Sequence, residues 1–277
     1  MAIELAVKYL PFVDELFTQE SKKSLITNQD FTWQNAHTVK VYKISTGTMN
    51  DYDRPGTGSN ASRFGVVESL NATTQSMTLR KDRSFTFAID KLDEDETVRQ
   101  LQAATALSRQ LREVVIPEVD TWVFAEMTAN AGTTATPIAL TPANIYDKIL
   151  AASQALDDAY VPDTQRYLVV TPATYALMKK STEIIMETDI TADMRLRGVI
   201  GMIDGASVIR VSAARLPDKF GFMMVHPSAT VAPVKLEDFR IHQDPPGISG
   251  SLVEGRINYD AFVLDNKVKG IYYQEIV

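Results

Sequence analysis

The stretch on which the central part of the fold depends, residues 166–175, reads Arg166-Tyr167-Leu168-Val169-Val170-Thr171-Pro172-Ala173-Thr174-Tyr175. The run from Tyr167 to Val170 is apolar and partly β-branched, which predicts a short buried strand. Thr171 is a favourable N-cap residue, and proline is favoured in the first turn of a helix. We therefore expect a buried strand that leads directly into a helix through Lys180.

The same kind of opening precedes this stretch. Thr141-Pro142 predicts the start of another helix, whose core-facing residues would be Ile145, Ile149, Ala152 and Leu156. Strands are predicted at 208–211 and 221–225. Residues 141–225 therefore indicate a region in which helices and strands alternate.

The strongest helical pattern begins near Asp93. Asp93 and Glu96 have the spacing of a capping box, and carboxylates suit the positive end of a helix dipole. We expect Pro117 to kink or break this helix and Gly132 to end it.

Residues 38–90 have a different character. A β-branched strand is predicted at 38–44, turn-forming residues fill 45–62, and apolar residues alternate again at 77–79 and 85–89. Loops longer than about 12–15 residues are uncommon inside compact domains. The pattern therefore predicts an extended hairpin with little core of its own, which lies on a partner.

The two ends of the chain are also patterned. Residues 1–30 contain apolar residues at helical spacing, interrupted by Pro11, so they fit a helix docked on the core and an arm reaching a neighbouring subunit equally well. Strands are predicted at 232–236, 239–242, 256–264 and 268–276. A tight turn is expected at Asp244, Pro245, Pro246 and Gly247.

The composition excludes several classes of protein. The chain has 277 residues, 45% of them hydrophobic and 23% charged, with a net charge of −7 and no cysteine. Disulfides and thiolate metal sites are therefore excluded, and the acidic balance disfavours sequence-specific DNA reading. No apolar run approaches the ~20 residues of a membrane span, and the N-terminus lacks a signal-peptide pattern. We expect a soluble intracellular product.

No motif indicates catalysis, a cofactor or a metal. The histidines His37, His226 and His242 lack metal-ligand spacing. Residues 56–61 match a dinucleotide fingerprint, but no strand precedes them directly and no helix follows. Aromatic and basic residues beside the polar loop fit a protein interface better than a nucleic-acid surface, given the net charge.

The order of these elements resembles that of the HK97-like major capsid proteins of tailed bacteriophages. Three stretches carry the resemblance in this order: residues 166–175; Gly198-Val199-Ile200-Gly201; and Gly255-Arg256-Ile257-Asn258-Tyr259-Asp260 with Gly270-Ile271-Tyr272-Tyr273. The resemblance implies an α+β, HK97-like capsid fold. Its parts would be an N-terminal arm (1–37), an extended hairpin called the E-loop (38–90), a peripheral domain with a long spine helix (91–132 and 231–262), and an axial domain (133–230 and 263–277).

The function implied by the resemblance is structural. Subunits would form pentamers and hexamers of an icosahedral head that encloses double-stranded DNA. They would be assembled in the bacterial cytoplasm together with a portal protein and a possible decoration protein. The implied contact residues are, in the E-loop, Tyr52, Arg54, Gly56, Gly58, Arg63 and Phe64; at the peripheral tip, Asp244, Pro245, Pro246 and Gly247; and in the axial loops, Arg195, Arg197 and Gly198.

Two departures from family patterns add expectations. The start of the chain is too short for a built-in scaffolding region, so a separate scaffolding protein is expected. Some members form Lys–Asn crosslinks; here Lys43 and Lys81 flank the hairpin and Asn258 and Asn266 lie late in the chain, but its tip has no lysine. Crosslinking is therefore not expected. The alternatives are an encapsulin-like nanocompartment shell and, more remotely, a soluble α/β enzyme.

Overall fold

The computed structural model describes residues 21–28, 38–56, 62–96, 102–181 and 199–277. Two compact units make up the chain: residues 35–78 form one, and residues 1–34 with 79–277 form the other. The first is named here the hairpin unit and the second the main unit.

The hairpin unit is built on one antiparallel pair of strands, β1 (Thr38–Ile44) and β2 (Ala72–Thr78). Thr38 lies opposite Thr78 and Ile44 opposite Ala72, so the pairing has no register shift. The extended hairpin predicted for this region is present. Its strands end at Thr78, because the next strand pairs within the main unit.

The described part of the main unit contains six α-helices. Their bounds are α1 (Lys23–Ile26), α2 (Lys91–Glu96), α3 (Ala103–Gln110), α4 (Ile116–Ala129), α5 (Ile145–Asp158) and α6 (Pro172–Lys180). The described strands of the same unit are β3 (Lys81–Asp90), β4 (Thr133–Ala135), β5 (Arg166–Val170), β6 (Val199–Ile203), β7 (Ala206–Arg210), β8 (Phe220–Val225), β9 (Thr230–Val231), β10 (Val234–Gln243), β11 (Gly250–Tyr259), β12 (Phe262–Val263) and β13 (Ile271–Glu275).

These strands form two principal sheets. A three-stranded antiparallel sheet has the order β10-β11-β3, and a six-stranded mixed sheet has the order β4-β13-β8-β5-β7-β6. Strand β3 falls in the range expected for the E-loop, yet it pairs with β11 over its whole length. The sequence pattern of β3 is that of a strand in either place, so it could not distinguish the two partners.

One core lies on each face of the six-stranded sheet. On one face, α4 packs through Val123, Phe124 and Met127 against Val169 and Met223. On the other, α5 and α6 cover the sheet, with a second set of buried residues: Ile145, Ile149, Leu156, Leu168, Met178 and Val208. The core-facing residues predicted for α5 are all buried.

Around Pro117, the helix stays continuous instead of breaking. Residues Leu111–Val115 between α3 and α4 form a π-helical turn, in which the Ile116 N–H donates to the Leu111 carbonyl. Pro117 has no N–H to offer, and its ring would crowd the carbonyl four residues earlier in a regular α-helix. The wider turn removes that conflict, so of the kink or break expected at Pro117 the break does not occur, and the helix type changes locally instead.

Three predicted helix ends differ from the structure. Asp93 lies inside α2, and the Asp90 carboxylate instead accepts a hydrogen bond from the Leu92 N–H at 2.8 Å. Helix α5 starts at Ile145, after a turn in which the Asn144 side chain accepts from the Thr141 N–H. Gly132 is not the cap of α4; a Cβ at Gly132 would collide with the Val268 carbonyl, so glycine is required there for close backbone approach.

Candidate subunit-contact surfaces

The described part of the hairpin unit is held together almost entirely by polar contacts. Beyond the strands, the Ser45 N–H donates to the Asn71 carbonyl at 3.0 Å, and the Thr48 hydroxyl donates to the Glu68 carboxylate at 3.1 Å. Further out, the Asp53 N–H donates to the Arg63 carbonyl at 2.9 Å. The ladder thus continues past both strand ends by means of side chains and isolated backbone bonds.

Many large apolar side chains of this unit are exposed to solvent. Eight of them are more than half exposed: Tyr42, Ile44, Met49, Tyr52, Phe64, Val66, Val67 and Leu70. So many exposed large apolar side chains in one small unit exceed the scattered single residues of an ordinary protein surface, and such exposure typically marks an interaction site. A two-stranded hairpin is also marginally stable in water without a further partner. The hairpin unit therefore presents a surface suited to burial against another molecule.

Four of the predicted E-loop contact residues come together near the end of this hairpin. The rings of Tyr52 and Phe64 meet edge to face with centroids 5.1 Å apart. A Cβ at Gly56, where φ is +71°, would lie 3.1 Å from a guanidinium nitrogen of Arg63. The fifth, Arg54, donates its backbone N–H to the Tyr52 carbonyl at 2.9 Å.

The predicted peripheral tip is a tight, hydrogen-bonded turn between β10 and β11. Asp244 has φ of +46°; its N–H donates to the Gly250 carbonyl at 2.7 Å, and its carboxylate accepts from the Gly250 N–H at 3.1 Å. Gly247 has φ of +87°, and a Cβ there would meet nothing within 4 Å. The turn is therefore rigid in its backbone and open to solvent at its end.

Gly58 and the predicted axial residues Arg195, Arg197 and Gly198 lie outside the described residues.

A buried carboxylate that the sequence analysis missed organises the main unit. The Asp260 side chain is fully buried and accepts hydrogen bonds from the Arg80 backbone N–H, the Arg80 guanidinium, the Trp122 indole N–H and the Ala261 N–H. Arg80 also pairs with Glu126 at 3.0 Å. This cluster joins the segment before β3, helix α4 and the β11–β12 turn.

Hydrogen bonds from neighbouring donors compensate for the burial of the ionised Asp260 carboxylate. Burial alone would raise the pKa of Asp260, but its hydrogen bonds from Arg80, Trp122 and Ala261 outweigh burial and lower that pKa below its ordinary value. The same pairing raises the pKa of Arg80. The carboxylate is therefore ionised and structural. Only its position in the folded chain reveals it, since Arg80, Trp122 and Asp260 are remote in sequence.

A second buried pair lies on helix α4. The Asp120 carboxylate accepts from the Arg215 guanidinium at 3.0 Å and from the Ser21 hydroxyl at 2.6 Å. Burial raises the pKa of Asp120, and burial lowers the pKa of neighbouring Lys23. Because the oxygens of Asp120 are already occupied, the pair serves to attach residues 21–28 to the helix.

Across the described ranges, no group of three or more histidine, aspartate or glutamate side chains is arranged to hold a metal ion. Nor does any helix within those ranges have the length and apolar character needed to cross a bilayer.

Comparison with known proteins gives consistent results. A family model described as phage capsid protein matches residues 71–273. No curated protein matches the sequence. Among solved structures, one from Mycobacterium phage Che8 superposes with a TM-score of 0.76 at 19% identity, covering 98% of this chain and 97% of the other.

Two further structures agree with the first. The capsid structure of cyanophage P-SCSP1u gives a TM-score of 0.75 at 13% identity, covering 99% of this chain and 93% of the other. The asymmetric unit of the mature capsid of bacteriophage PhiM1 gives 0.74 at 15% identity, covering 99% and 92%. The α+β, HK97-like fold predicted from the order of elements is confirmed.

Proposed function

The chain belongs to the phage capsid protein family, and on that premise we propose that it assembles into the pentamers and hexamers of an icosahedral head that encloses double-stranded DNA. As a member of this family it is a major capsid protein, a structural component of the virion capsid. The family match also favours a phage head over the nanocompartment alternative. The mechanism in this proposal is assembly, with no catalytic turnover.

The observation that carries the proposal is the exposed apolar surface of the hairpin unit. Residues 35–78 form a compact unit of their own, yet large apolar side chains such as Met49, Phe64 and Val67 are between 78% and 99% exposed. Burying apolar surface contributes roughly 25 cal/mol per Å². A hairpin laid across a neighbouring copy would gain that free energy in every subunit, and the closed symmetry of a shell repeats the gain.

The remaining assignments are proposed on the same basis. The E-loop at 38–90 would cross a neighbour. The peripheral domain at 91–132 and 231–262 would present the turn at 244–247 near three-fold axes. The axial domain at 133–230 and 263–277 would place Arg195, Arg197 and Gly198 around five-fold and six-fold axes, and residues 1–37 would form an arm.

The partners follow from the net charge and from the family. With a net charge of −7, the wall would confine DNA without reading its sequence, since counterions screen charges within about 10 Å. A separate scaffolding protein, a portal protein and possibly a decoration protein would join the subunit during assembly in the bacterial cytoplasm.

The first test is negative-stain electron microscopy of the purified protein, alone and with its neighbouring genes coexpressed. Closed shells or ring-shaped capsomers are expected. A strictly monomeric protein at high concentration in both preparations would refute the proposal. DNA inside native particles would identify a phage head, whereas a cargo enzyme would identify a nanocompartment.

Removing the end of the hairpin tests the observation itself. Deletion of residues 48–60 is expected to abolish shells or to lower their thermal resistance, because Met49 and Tyr52 would be lost. The matched control replaces residues 48–60 with a glycine–serine segment of equal length, which separates loop length from side-chain chemistry. If both variants form shells that survive heating as wild type does, the role assigned to the hairpin is wrong.

Covalent crosslinking of subunits is not part of the proposal. The ammonium of Lys81 lies 3.9 Å from the centroid of the Trp122 ring, where a cation–π contact holds it. A denaturing gel of assembled particles is expected to show a single monomer band. A ladder of higher bands would contradict this expectation.

A further inference from the structure

The loop between α5 and β5 presents an exposed tyrosine in an unfavourable backbone conformation. Tyr160 has φ of +56°, and its side chain is 95% exposed. Its N–H donates to the Asp157 carbonyl at 2.9 Å, and the Val161 N–H donates to the Leu156 carbonyl at 3.0 Å. These two bonds end helix α5, and the residue with positive φ at such a helix end is usually glycine. A bulky residue at this position, fully open to water, points to a role beyond the local fold.

The buried side chain of Arg166 fixes the conformation of this loop. This side chain is 3% exposed, and its guanidinium donates to the Val161 carbonyl at 2.6 Å, the Pro162 carbonyl at 2.9 Å and the Asp157 carboxylate at 2.7 Å. Three bonds from one buried side chain fix the loop before any partner arrives. Such preorganisation reduces the entropy lost on binding.

The exposed surface of this loop is acidic. Asp158 and Asp163 are exposed on either side of Tyr160, and within the described part of the chain neither forms an ion pair. The name acidic loop is used here for residues 157–165.

A basic surface lies where helix α6 meets the end of strand β7. Lys179 and Arg210 are both exposed, and each places its charge over the Tyr175 ring, with distances to the centroid of 5.7 Å and 5.6 Å. The name basic cluster is used here for Tyr175, Lys179 and Arg210. Strands β5 and β7 run parallel, with Arg166 opposite Ala206 and Val170 opposite Arg210. Arg210 therefore lies at the far end of the strands from the acidic loop, about 13 Å along the sheet.

We propose that the acidic loop of one subunit binds the basic cluster of the next, as a head-to-tail contact between neighbouring copies in a ring. This inference rests on the assembly function proposed above and specifies one of its contacts. Two different surfaces of one chain that complement each other in charge produce a heterologous contact, which closes into a ring when the rotation permits. Tyr160 would be the anchor, because tyrosine buries a large area and is enriched at the energetic centres of interfaces.

The partner is a second copy because both halves of the complementary pair are present on this chain, and within the described residues no ion pair joins them. Individual exposed ion pairs contribute little. The contact therefore depends on Tyr160 and on repetition around the ring, with the charges selecting the register.

The absence of cysteine from the chain allows a direct test by site-specific crosslinking. The variants are Asp163→Cys, Lys179→Cys and the double variant, each assembled into shells and treated with a short bismaleimide. A 1:1 mixture of the single variants is expected to yield covalent dimers, and the double variant to yield a ladder up to the size of the ring. Each single variant alone is the control and should remain monomeric on a denaturing gel.

Other outcomes overturn the inference in distinguishable ways. Intact shells that give only monomers with the mixture and with the double variant would refute the contact while leaving the assembly function in place. Dimers from Asp163→Cys alone would indicate a symmetric contact and also refute it. If the wild-type protein forms no shells or capsomers at all, the assembly function fails and this contact with it.

A second measurement separates binding from folding. Tyr160→Gly removes the unfavourable conformation, so we expect the melting temperature of the unassembled subunit to rise while the concentration needed for assembly increases several-fold. Reversal of the acidic loop with Asp158→Lys and Asp163→Lys should also impair assembly, and adding Lys179→Glu and Arg210→Glu in the same chain should restore it. If the Tyr160→Gly variant and the variant with Asp158→Lys and Asp163→Lys both assemble as the wild type does, the inference is overturned.

Discussion

Trp122 and Asp260 are 138 positions apart in the sequence, yet the indole N–H of Trp122 donates to the Asp260 carboxylate at 2.8 Å. Arg80 reaches the same carboxylate with its guanidinium and also lies over the Trp122 ring, 5.3 Å from its centroid. Helix α4, the segment before β3 and the turn after β11 therefore share one buried charge.

Removal of the negative charge of Asp260 should destabilise the folded subunit. Asp260→Asn is expected to lower the free energy of unfolding by about 2–3 kcal/mol, since it leaves buried donors without an ionic acceptor. Urea denaturation of the unassembled subunit measures this effect. Asp82→Asn is the matched control: Asp82 pairs with Arg256 at the surface, where such pairs contribute about 0–1 kcal/mol. Equal losses in the two variants would contradict the assigned role of Asp260.

The effect of Asp260 should also depend on pH. Its pKa is lowered in the folded protein, so the ionised form is favoured by folding. The stability it contributes is complete above the unfolded pKa of about 3.9 and is lost as pH falls through the lower, folded pKa. The difference between wild type and Asp260→Asn should therefore narrow below about pH 4. A difference in urea midpoint that stays constant from pH 7 to the lowest accessible pH would refute this prediction.

The middle strand of the three-stranded sheet should not tolerate a side chain at Gly255. The rings of Phe85 and Phe239 stack across this glycine with centroids 6.1 Å apart, and a Cβ there would collide with Phe85 and lie 2.9 Å from Phe239. Gly255→Ala is expected to cost about 1–3 kcal/mol through overpacking. Thermal melting would show the loss, with Gly47→Ala as control, because a Cβ at Gly47 would come no closer than 3.9 Å to another group.

The cap of helix α6 offers a smaller, local effect. The Thr171 hydroxyl accepts from the Thr174 N–H at 3.1 Å. Thr171→Ala should therefore destabilise the subunit by about 1 kcal/mol. Thr121→Ala is the control, since its exposed hydroxyl bonds only the Pro117 carbonyl and its loss should change stability by less than about 0.5 kcal/mol. Indistinguishable denaturation midpoints for the two variants would argue against the capping role.

Local chemistry accounts for the parts of the fold that were predicted correctly. Thr171 and Pro172 specify a helix start through groups within three residues of one another, and the structure has that cap. The turn at 244–247 likewise depends on its own residues. The fold class followed from the order of such elements along the chain.

The predictions that failed depended on partners remote in sequence. Asp93 has the right spacing for a cap, but β3 pairs with the remote strand β11 as far as Asp90, and α2 begins directly after it with Asp90 as the acceptor. The longer helix begins separately at Ala103. Gly132 resembles a helix terminator, whereas its real constraint is the backbone near Val268. The contacts of Asp260 left no pattern at all in the sequence. The roles of the contact surfaces stay predictions, since they depend on other copies of the chain.

The position of β13 has a consequence for how the chain is made. Residues 271–275 lie between β4 and β8, which are built from residues 133–135 and 220–225. During synthesis, the six-stranded sheet therefore stays open along both of those strands until its last strand emerges from the ribosome. A prematurely released chain would carry unpaired strand edges, which favour aggregation. Because β13 is the last of the described strands to be made, the sheet can be completed only after residues 271–275 have been synthesised.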